Sequence, residues 1–462
     1  MIKSSRIQLV KITESDISKE YLDNLNDVFY LKFSRNSKIA HTITTQAQYI
    51  SDINSSNNLF FGIRSYAENK LIGTINCYIN FNTMTLNLGF LIFKNYASQG
   101  YATEALKILV SYLSQEFPGM TMVIGLSKSN IGMQKVARNL DFEVSPALGD
   151  VDHSSMKFVR KIPILNSFNS PYVPQFILNA KKIGVAANDA GGAEQVVWLL
   201  KNLECCASAY ISGPAIKIFN QGQINFNKIS NLEFLNDFDL IITGSGWMTD
   251  LEKETIKFAN QRNIPCITIL DNWVNYLTRF GENQLFYPNI LAVTNYQALL
   301  MAQKTFPNKL IWHLPDFQLE YYQKSISKDD TDSKNILVIA EPTIIENQLS
   351  NVSIEDFDRL INSAISIKAE ENLEKILVRP HPSQEKNILF DQILEKFSEE
   401  IEVLNNTILI DDLKNSKIVI GINSYVLYIA ALSGIKTYSL FSGKNYHWTN
   451  LFSQISSIPE LP

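Results

Sequence analysis

The stretch KNYASQGYATEAL, residues 94–106, decides the fold of the first third of the chain. It joins an apolar run, LNLGFLIF (86–93), to a pattern with helical spacing, GYATEALKILVSYLSQEF (100–117). Gly100 permits a tight turn, so the backbone N–H groups of residues 98–102 would lie at the N-terminus of a helix. These donors and the helix dipole both favour an anion. The turn therefore predicts a pyrophosphate site, with an ordinary strand-to-helix turn as the alternative.

The flanking segments indicate a mixed α+β domain over about residues 1–165. LIGTINCYIN (71–80) and 86–93 read as neighbouring strands. Downstream, MVIGLS (122–127) reads as a strand, SNIGMQKVARNLDF (129–142) as a short helix and MKFVRKI (156–162) as a last strand. We expect an antiparallel core.

The remainder of the chain has a different pattern, in which short, wholly apolar runs alternate with helical stretches. The predicted strands are IGVAAN (183–188), DLIITG (239–244), CITIL (266–270), ILVIAE (336–341), ILVRPH (376–381), TILI (407–410) and IVIGIN (418–423). Strands buried on both faces and separated by helices are typical of parallel sheets. We predict α/β lobes at 181–315 and 335–462, linkers at 166–180 and 316–334, and a ligand cleft between the lobes.

Composition limits the function classes. The chain has 462 residues, of which 45% are hydrophobic, and a formal net charge of -5. The chain has no overall positive charge that would attract a phosphate backbone, so nucleic-acid binding is not expected. The four cysteines form no CxxC pair and no two of the five histidines have metal-ligand spacing, so we expect neither a disulfide framework nor a metal. The polar amino terminus is unlike a signal peptide, which favours the cytoplasm.

Residues 1 to about 162 resemble the GNAT acetyltransferases, specifically those that modify ribosomal proteins and amino-sugars. Their acetyl-CoA loop, Arg/Gln-x-x-Gly-x-Gly/Ala, falls on 97–102, and Asn130 and Phe142 match the downstream cofactor-contacting helix. The resemblance implies that backbone groups around Leu91 and Phe93 pair with the pantetheine arm, while the loop amides hold the pyrophosphate. The implied cofactor-binding residues are Leu91, Phe93, Ser98, Gln99, Gly100, Tyr101, Ala102 and Asn130.

Three positions depart from the family pattern. Ala97 replaces the Arg or Gln, Ala137 stands where many relatives have a general-acid Tyr, and Asp141 stands where Gly precedes Phe. Acetyl transfer also needs a base, and the strand 86–93 offers Asn87 but no carboxylate. A non-catalytic acetyl-CoA-binding module is therefore the alternative for this domain.

A second site is predicted at two strand ends in the first lobe. Asp189 follows the strand 183–188 and precedes Gly191 and Gly192, which let a backbone or substrate approach closely. Asp271 follows the strand 266–270 and precedes two aromatic residues. Each Asp is a candidate general base, or simply a helix cap. The GxGxxG spacing of a dinucleotide site is missing.

The second lobe offers groups suited to a phosphate. His381 lies between two prolines directly after a strand, with Arg379 close by, although a lone histidine can also be structural. About 40 residues on, Asn423 and Ser424 precede a helix whose N-terminus can receive an anion, or which Ser424 merely caps.

The RPHPS motif (379–383), followed by strand, Asn-Ser and helix, resembles the GT-B fold bacterial sialyltransferases and polysialyltransferases. In those families a His-Pro motif and a later Ser motif hold the phosphate of CMP-sialic acid, which corresponds here to His381, Pro382 and Ser424. The implied base is Asp189 or Asp271, though neither has the family's Asp/Glu-Asp/Glu-Gly form. The implied catalytic residues are Asp189, Asp271 and His381, and the implied donor-binding residues are Gly191, Gly192, Arg379, His381, Pro382, Asn423 and Ser424.

We therefore expect a bifunctional enzyme of surface-glycan synthesis: an acetyl-CoA-dependent acetyltransferase fused to a metal-independent, inverting glycosyltransferase. The expected donor is a CMP-activated nonulosonic acid of the sialic, legionaminic or pseudaminic type, and the acceptor is a glycan or glycolipid. A lipid-linked acceptor would place the enzyme at the inner face of the cell membrane. The alternative is a UDP-sugar hydrolase or epimerase joined to an amino-sugar N-acetyltransferase.

Overall fold

The computed structural model describes residues 2–28, 40–145, 155–163, 171–203, 205–246, 249–273, 275–326, 333–341, 353–381, 388–405, 407–440 and 452–458, with only the backbone of 388–390. The chain divides into two compact units. The first unit comprises 1–181 with 237–240 and 259–266, and the second comprises 182–236, 241–258 and 267–462.

The first unit is built on an eight-stranded sheet of order β1-β2-β3-β4-β5-β6-β8-β7. Its strands are β1 (Ile2–Lys3), β2 (Ile7–Lys11), β3 (Leu59–Ser65), β4 (Leu71–Asn80), β5 (Thr85–Ile92), β6 (Thr121–Ser127), β7 (Glu143–Val144) and β8 (Ser155–Lys161). Its helices are α1 (Lys19–Leu25), α2 (Ile43–Asn54), α3 (Tyr101–Glu116), α4 (Ile131–Arg138) and α5 (Gln175–Asn179). The predicted mixed α+β domain and its antiparallel core are confirmed.

Strands β5 and β6 form the parallel pair of this sheet, and they separate partway along their length. Their register runs from Thr85 opposite Thr121 to Leu88 opposite Ile124. Beyond that point β5 stays paired with β4 as far as Ile92. The two strands therefore diverge after Leu88, and among the described residues no strand lies beside the edge of β5 that faces the gap.

Helix α3 follows β5 and fixes the turn between them. The side chains of Ala105, Leu106, Leu109, Val110 and Leu113 are buried at helical spacing. Burying a Leu side chain contributes about 1.5–3 kcal/mol, so this apolar face holds the helix on the sheet. The start of α3 is thereby held beside the diverging strands.

The second unit contains two parallel sheets. The seven-stranded sheet has the order β11-β10-β9-β12-β13-β14-β15, and the six-stranded sheet has the order β18-β17-β16-β19-β20-β21. The strands of the first are β9 (Ile183–Ala187), β10 (Ala207–Ile211), β11 (Phe226–Lys228), β12 (Leu240–Thr243), β13 (Cys266–Ile269), β14 (Ile290–Val293) and β15 (Leu310–His313). Those of the second are β16 (Asn335–Ile339), β17 (Lys375–Arg379), β18 (Ile401–Val403), β19 (Ile418–Gly421), β20 (Lys436–Ser439) and β21 (Ile455–Ser457).

Helices connect these parallel strands. They are α6 (Ala190–Leu203), α7 (Ala215–Gln221), α8 (Leu251–Arg262), α9 (Tyr276–Phe280), α10 (Tyr296–Thr305), α11 (Phe317–Ser325), α12 (Ile354–Glu370), α13 (Ile388–Lys396), α14 (Leu409–Lys414) and α15 (Tyr425–Leu432). In both sheets the strand order reverses beside the first strand, between β9 and β12 and between β16 and β19. In open parallel sheets, ligands bind at the carboxyl ends of the strands at such switch points.

One predicted strand is wrong. The run TILI (407–410) was expected to be a strand, but Leu409 and Ile410 begin helix α14, and the neighbouring strand is β18. The run is followed by Asp411 and Asp412, which are favourable in the first turn of a helix. The segment 316–334, predicted to be a linker, contains helix α11. No described helix is long and apolar enough to cross a membrane.

Candidate functional site

The turn before α3 presents a row of unused backbone donors. Gly100 has φ +85 and caps the helix, and Ser98 also has a positive φ of +60. Within the described part of the chain, the amides of residues 98–102 donate to no protein acceptor. Residues 98–100 are exposed. The arrangement suits an anion that accepts several hydrogen bonds at once.

The diverging edge of β5 presents other backbone groups than those predicted. The N–H of Phe93 donates to the carbonyl oxygen of Ile72, 2.8 Å away, and is therefore already paired within the sheet. Backbone direction alternates along a strand, so the groups of Leu91 face β4 as well, whereas those of Phe90 and Ile92 face the gap. The amide of Phe93 is thus the wrong group for the pantetheine arm.

The downstream positions have mainly structural roles. Asn130 caps α4 by accepting a hydrogen bond from Met133 N–H at 3.2 Å. Ala137 is fully buried and offers no proton donor. Asp141 adopts φ +58, a left-handed conformation that glycine adopts at less cost than other residues.

Asn87 lies exposed on β5, and its side chain donates to Thr85 at 3.3 Å. Its cross-strand neighbour is Tyr78, whose hydroxyl is 2.7 Å from that of Tyr49. Asn76, two pairs further along, donates to Tyr49 at 3.0 Å. These neutral polar groups lie where the strands diverge, and none of them is a carboxylate base.

In the second unit, three carboxylates converge at the carboxyl ends of β9, β12 and β13. A Cβ at Gly246 would lie 2.5 Å from Oε1 of Glu252 and 3.3 Å from Oδ2 of Asp189. A Cβ at Gly191 would overlap Oδ2 of Asp271. The structure therefore brings together Asp189 and Asp271, which were predicted separately at two strand ends, and Glu252 from α8 joins them.

Arg279 neutralises one of these carboxylates. Its Nη1 lies 2.5 Å from Oδ1 of Asp271 and 2.6 Å from Oγ of Ser245, which itself donates to Asp271 at 2.8 Å. The Arg279 side chain is only 4% exposed. Asp271 is thus held as an ion pair, which leaves Asp189 as the better candidate base.

Asp189 carries a raised pKa. Burial raises the pKa of Asp189 to about 7, and repulsion from Asp271 and Glu252 adds to the shift, against the opposing effect of Arg279. One oxygen of Asp189 accepts from Gly192 N–H at 2.9 Å, so the helix-capping role is also real. A carboxyl with a pKa near 7 can exchange a proton at neutral pH.

Glycine is required where these carboxylates approach the backbone. A Cβ at Gly192 would lie 2.8 Å from Oδ1 of Asp189 and 3.0 Å from Cα of Gly244. Glu252 Oε1 accepts from the N–H of Asn188 at 2.7 Å, while its Oε2 is buried without a partner among the described residues. Glu252 was not predicted, because it lies on α8, 63 positions after Asp189 in the sequence.

The second sheet places Arg379 and His381 after β17. Arg379 forms an ion pair with Asp412 and donates to Thr407 Oγ1 at 3.0 Å. Glu194 of α6 also interacts electrostatically with Arg379. Burial lowers the pKa of His381 to about 4, so its imidazole is neutral at pH 7. Pro382 lies outside the described residues.

At the switch point of this sheet, Asn423 and Ser424 follow β19 at the start of α15. Ser424 caps the helix, accepting from Val426 N–H at 3.2 Å. The N–H of Asn423 donates to Glu341, which follows β16. Burial raises the pKa of Glu341 to about 7. Glu341 was not predicted as a site residue, although it directly follows an apolar strand in the sequence.

Among the described residues, no group of three or more His, Cys, Asp or Glu side chains is arranged to hold a metal ion. Arg279, Ser245 and backbone amides instead donate to oxygens of all three clustered carboxylates, while Oε2 of Glu252 has no partner in the part of the chain that the structure describes.

Residues 6–143 match the family described as "Acetyltransferase (GNAT) domain". The first unit therefore contains a GNAT acetyltransferase domain, and this match agrees with the loop geometry at Gly100. The match covers no part of the second unit. No curated protein matches the chain.

Several solved structures resemble part of the chain. A ribosomal L7/L12 alpha-N-protein acetyltransferase in complex with coenzyme A is 14% identical, covers 34% of this chain and 96% of its own, and gives a TM-score of 0.32. The microcin C7 self immunity acetyltransferase in complex with acetyl-CoA and AMP is 15% identical, covers 34% and 94%, and gives 0.31. The ribosomal-protein-S5-alanine acetyltransferase from Vibrio fischeri is 14% identical, covers 35% and 95%, and gives 0.31.

Proposed function

We propose that the first unit transfers an acetyl group from acetyl-CoA to an amine or hydroxyl of a sugar. The observation that carries this proposal is the row of amides at 98–102, which donate to no acceptor among the described residues and follow the edge of β5 that is unpaired with β6 after Leu88. The amides would hold the pyrophosphate, and the backbone groups of Phe90 and Ile92 would pair with the amide groups of the pantetheine arm. The thioester would then lie near Gly89, at the start of the gap.

In the reaction, the acceptor nitrogen or oxygen forms a bond to the acetyl carbon, the carbon–sulfur bond breaks, and the thiolate leaves. The acceptor loses one proton and the thiolate takes one up. Asn76, Tyr49 and Tyr78 supply hydroxyl and amide groups where the acceptor would approach. Their neutral, aromatic character suits a sugar ring.

The test is an acetyl-transfer assay on the intact chain with acetyl-CoA and a panel of amino-sugars, following release of the CoA thiol and the mass of the product. We expect stoichiometric thiol and acetylated sugar. Tight acetyl-CoA binding without any transfer would favour the alternative of a non-catalytic binding module. Transfer to a peptide amine but to no sugar would contradict the proposed acceptor class.

We further propose that the second unit is a glycosyltransferase whose donor is a CMP-activated nonulosonic acid. The supporting observation is that each parallel sheet has its polar groups at its own switch point: carboxylates after β9 and β13, and anion-binding groups after β17 and β19. Asp189 would take the proton of the acceptor hydroxyl as the acceptor oxygen bonds to the anomeric carbon, the bond from that carbon to the phosphate oxygen breaks, and CMP leaves. Together the two units would form a bifunctional enzyme of surface-glycan synthesis.

The departing phosphate would be stabilised by the N-terminal amides of α15 and by neutral His381, which can donate one hydrogen bond. No net positive charge at His381 is needed, because the helix terminus favours an anion. An acceptor attached to a lipid would bring this unit to the inner face of the membrane.

Titration of the intact chain with CMP and with UDP tests this second proposal. We expect CMP to bind and His381→Ala to weaken it, with Asp189→Asn abolishing transfer while retaining CMP binding. Preferential UDP binding, with water as the acceptor, would instead support a UDP-sugar hydrolase or epimerase. Unchanged turnover in His381→Ala would refute the role of the histidine.

A further inference from the structure

Arg6 lies against the carbonyl side of the 98–102 loop. It precedes β2 and is separated from the loop by more than 90 residues. Its Nη1 donates to the carbonyl oxygen of Gln99 at 3.2 Å, and its guanidinium lies over the ring of Tyr101, 4.6 Å from the centroid. One side chain therefore contacts residues on both sides of Gly100.

Glu104 fixes the orientation of Arg6. The Arg6 Nε donates to Oε2 of Glu104 at 2.7 Å, and Nη2 lies 2.5 Å from the same oxygen. Ser4 holds the other carboxylate oxygen at 2.5 Å. Burial alone would raise the pKa of Glu104, but hydrogen bonds from Ser4 and Arg6 outweigh it and lower the pKa. The pair is thus ionised at neutral pH.

These contacts define which way the loop's backbone groups point. A peptide unit whose carbonyl is held on one side directs its N–H to the other, because the two groups are antiparallel across the planar peptide bond. The peptide between Gln99 and Gly100 has its oxygen on Arg6, so the N–H of Gly100 points away from Arg6, into the row of free amides. Ser98 has a positive φ of +60, a conformation that costs a residue other than glycine free energy and needs support from the surrounding structure.

We propose that Arg6 is the positioning residue of the pyrophosphate loop: it fixes the Gln99–Gly100 peptide and the Tyr101 ring so that the five amides converge before the ligand binds. This inference rests on the proposed acetyl-CoA site of the first unit and adds a residue that lies outside the loop. Arg6 acts through the backbone of the loop and does not itself contact the phosphate. Only a planar guanidinium can stack on Tyr101 while donating to both Gln99 and Glu104.

The test compares Arg6→Ala and Arg6→Lys with the matched control Lys94→Ala, using acetyl-CoA and S-acetylpantetheine as probes in titrations of the intact chain. Lys94 is an exposed cation near the loop that pairs with Asp27 at 3.0 Å, so its removal controls for lost charge. We expect both Arg6 variants to bind acetyl-CoA about tenfold more weakly, which corresponds to about 1.4 kcal/mol. Lys94→Ala should bind it normally.

S-acetylpantetheine lacks the pyrophosphate, so its affinity should be the same in the wild type and in the Arg6 variants. Equal losses for both probes would mean general damage to the domain and would overturn the inference. Unchanged acetyl-CoA affinity in Arg6→Ala, or full recovery in Arg6→Lys, would also overturn it. If the wild type itself binds no acetyl-CoA, the proposed acetyltransferase function fails, which is a separate result.

Discussion

Gly100 is the residue on which the shape of the pyrophosphate loop depends most directly. At φ +85, an L side chain costs about 1–2 kcal/mol, although the nearest neighbour of an added Cβ, Arg6 Nη2, leaves 3.4 Å. We therefore expect Gly100→Ala to weaken acetyl-CoA binding about tenfold through backbone strain. Isothermal titration measures this change.

Gly132 provides the matched control, because it lies inside α4 and an added Cβ would meet nothing within 4 Å. Gly132→Ala should leave acetyl-CoA affinity unchanged and slightly stabilise the helix. Equal effects of the two substitutions would show that the left-handed turn is not what holds the cofactor.

Asp189 gives a pH-dependent prediction. Its pKa of about 7 in the folded protein is above that of an unfolded Asp, so its contribution to stability is lost as pH rises from about 4 to about 7. Asp189→Asn removes that penalty. The variant's gain in free energy of unfolding over wild type should therefore grow across this range by on the order of 3–4 kcal/mol.

Tryptophan fluorescence during urea unfolding measures this difference, since all five tryptophans lie between residues 198 and 448. Glu341 and Asp316 also have raised pKa values, of about 7 and about 6, but they cancel when the variant is compared with wild type. A pH-independent difference would mean that Asp189 is ionised throughout and is not poised as a base.

The sequence located those site residues that directly follow an apolar strand or carry a turn. Gly100, Asp189, Asp271 and Ser424 were found in this way, because strand ends and glycine turns leave local signals. Arg6 and Glu252 were missed, since each reaches its site from a distant part of the chain, and Arg279 was missed although it lies only eight positions after Asp271. The pairings of these side chains depend on the tertiary structure, and no spacing in the sequence predicts them.

At the start of helix α15, two substitutions of Ser424 distinguish a residue that only caps the helix from one that lies where the donor phosphate would bind. The side chain caps the helix, so Ser424→Ala should lower the free energy of unfolding by about 1 kcal/mol. Ser424→Asp should keep the cap but place a negative charge where the donor phosphate would bind. We expect this second variant to fold normally and to lose CMP affinity, as measured by urea unfolding and titration. If this variant still binds CMP, Ser424 caps the helix and has no role in binding the donor.

Most predicted elements of the first unit were confirmed, because β4, β5 and α3 are long and strongly patterned. TILI shows the limit of this reasoning, because a threonine and three apolar residues fit a strand or a helix equally well. Only the following residues, which are favourable in a first helical turn, and the Asp412–Arg379 ion pair distinguish the two structures. The register loss after Leu88 could not be predicted, since it depends on how β6 pairs with β8.

The net charge of -5 over the whole molecule gives no information about the proposed anion-binding sites. These sites rely on backbone amides at 98–102 and at the start of α15, which carry no formal charge. If each unit holds its own ligand, local variants should act separately. We expect Gly100→Ala to leave CMP affinity unchanged and Ser424→Asp to leave acetyl-CoA affinity unchanged, in paired titrations. Loss of both ligands in either variant would contradict two independent sites.

We propose above all that the first unit binds acetyl-CoA through the amides of residues 98–102. Titration of the intact chain with acetyl-CoA, in parallel with Gly100→Ala, tests it most directly. The predicted result is one acetyl-CoA per chain, bound more weakly by the variant. If the wild type does not bind acetyl-CoA, or if both proteins bind it equally, the loop amides do not hold the cofactor as proposed.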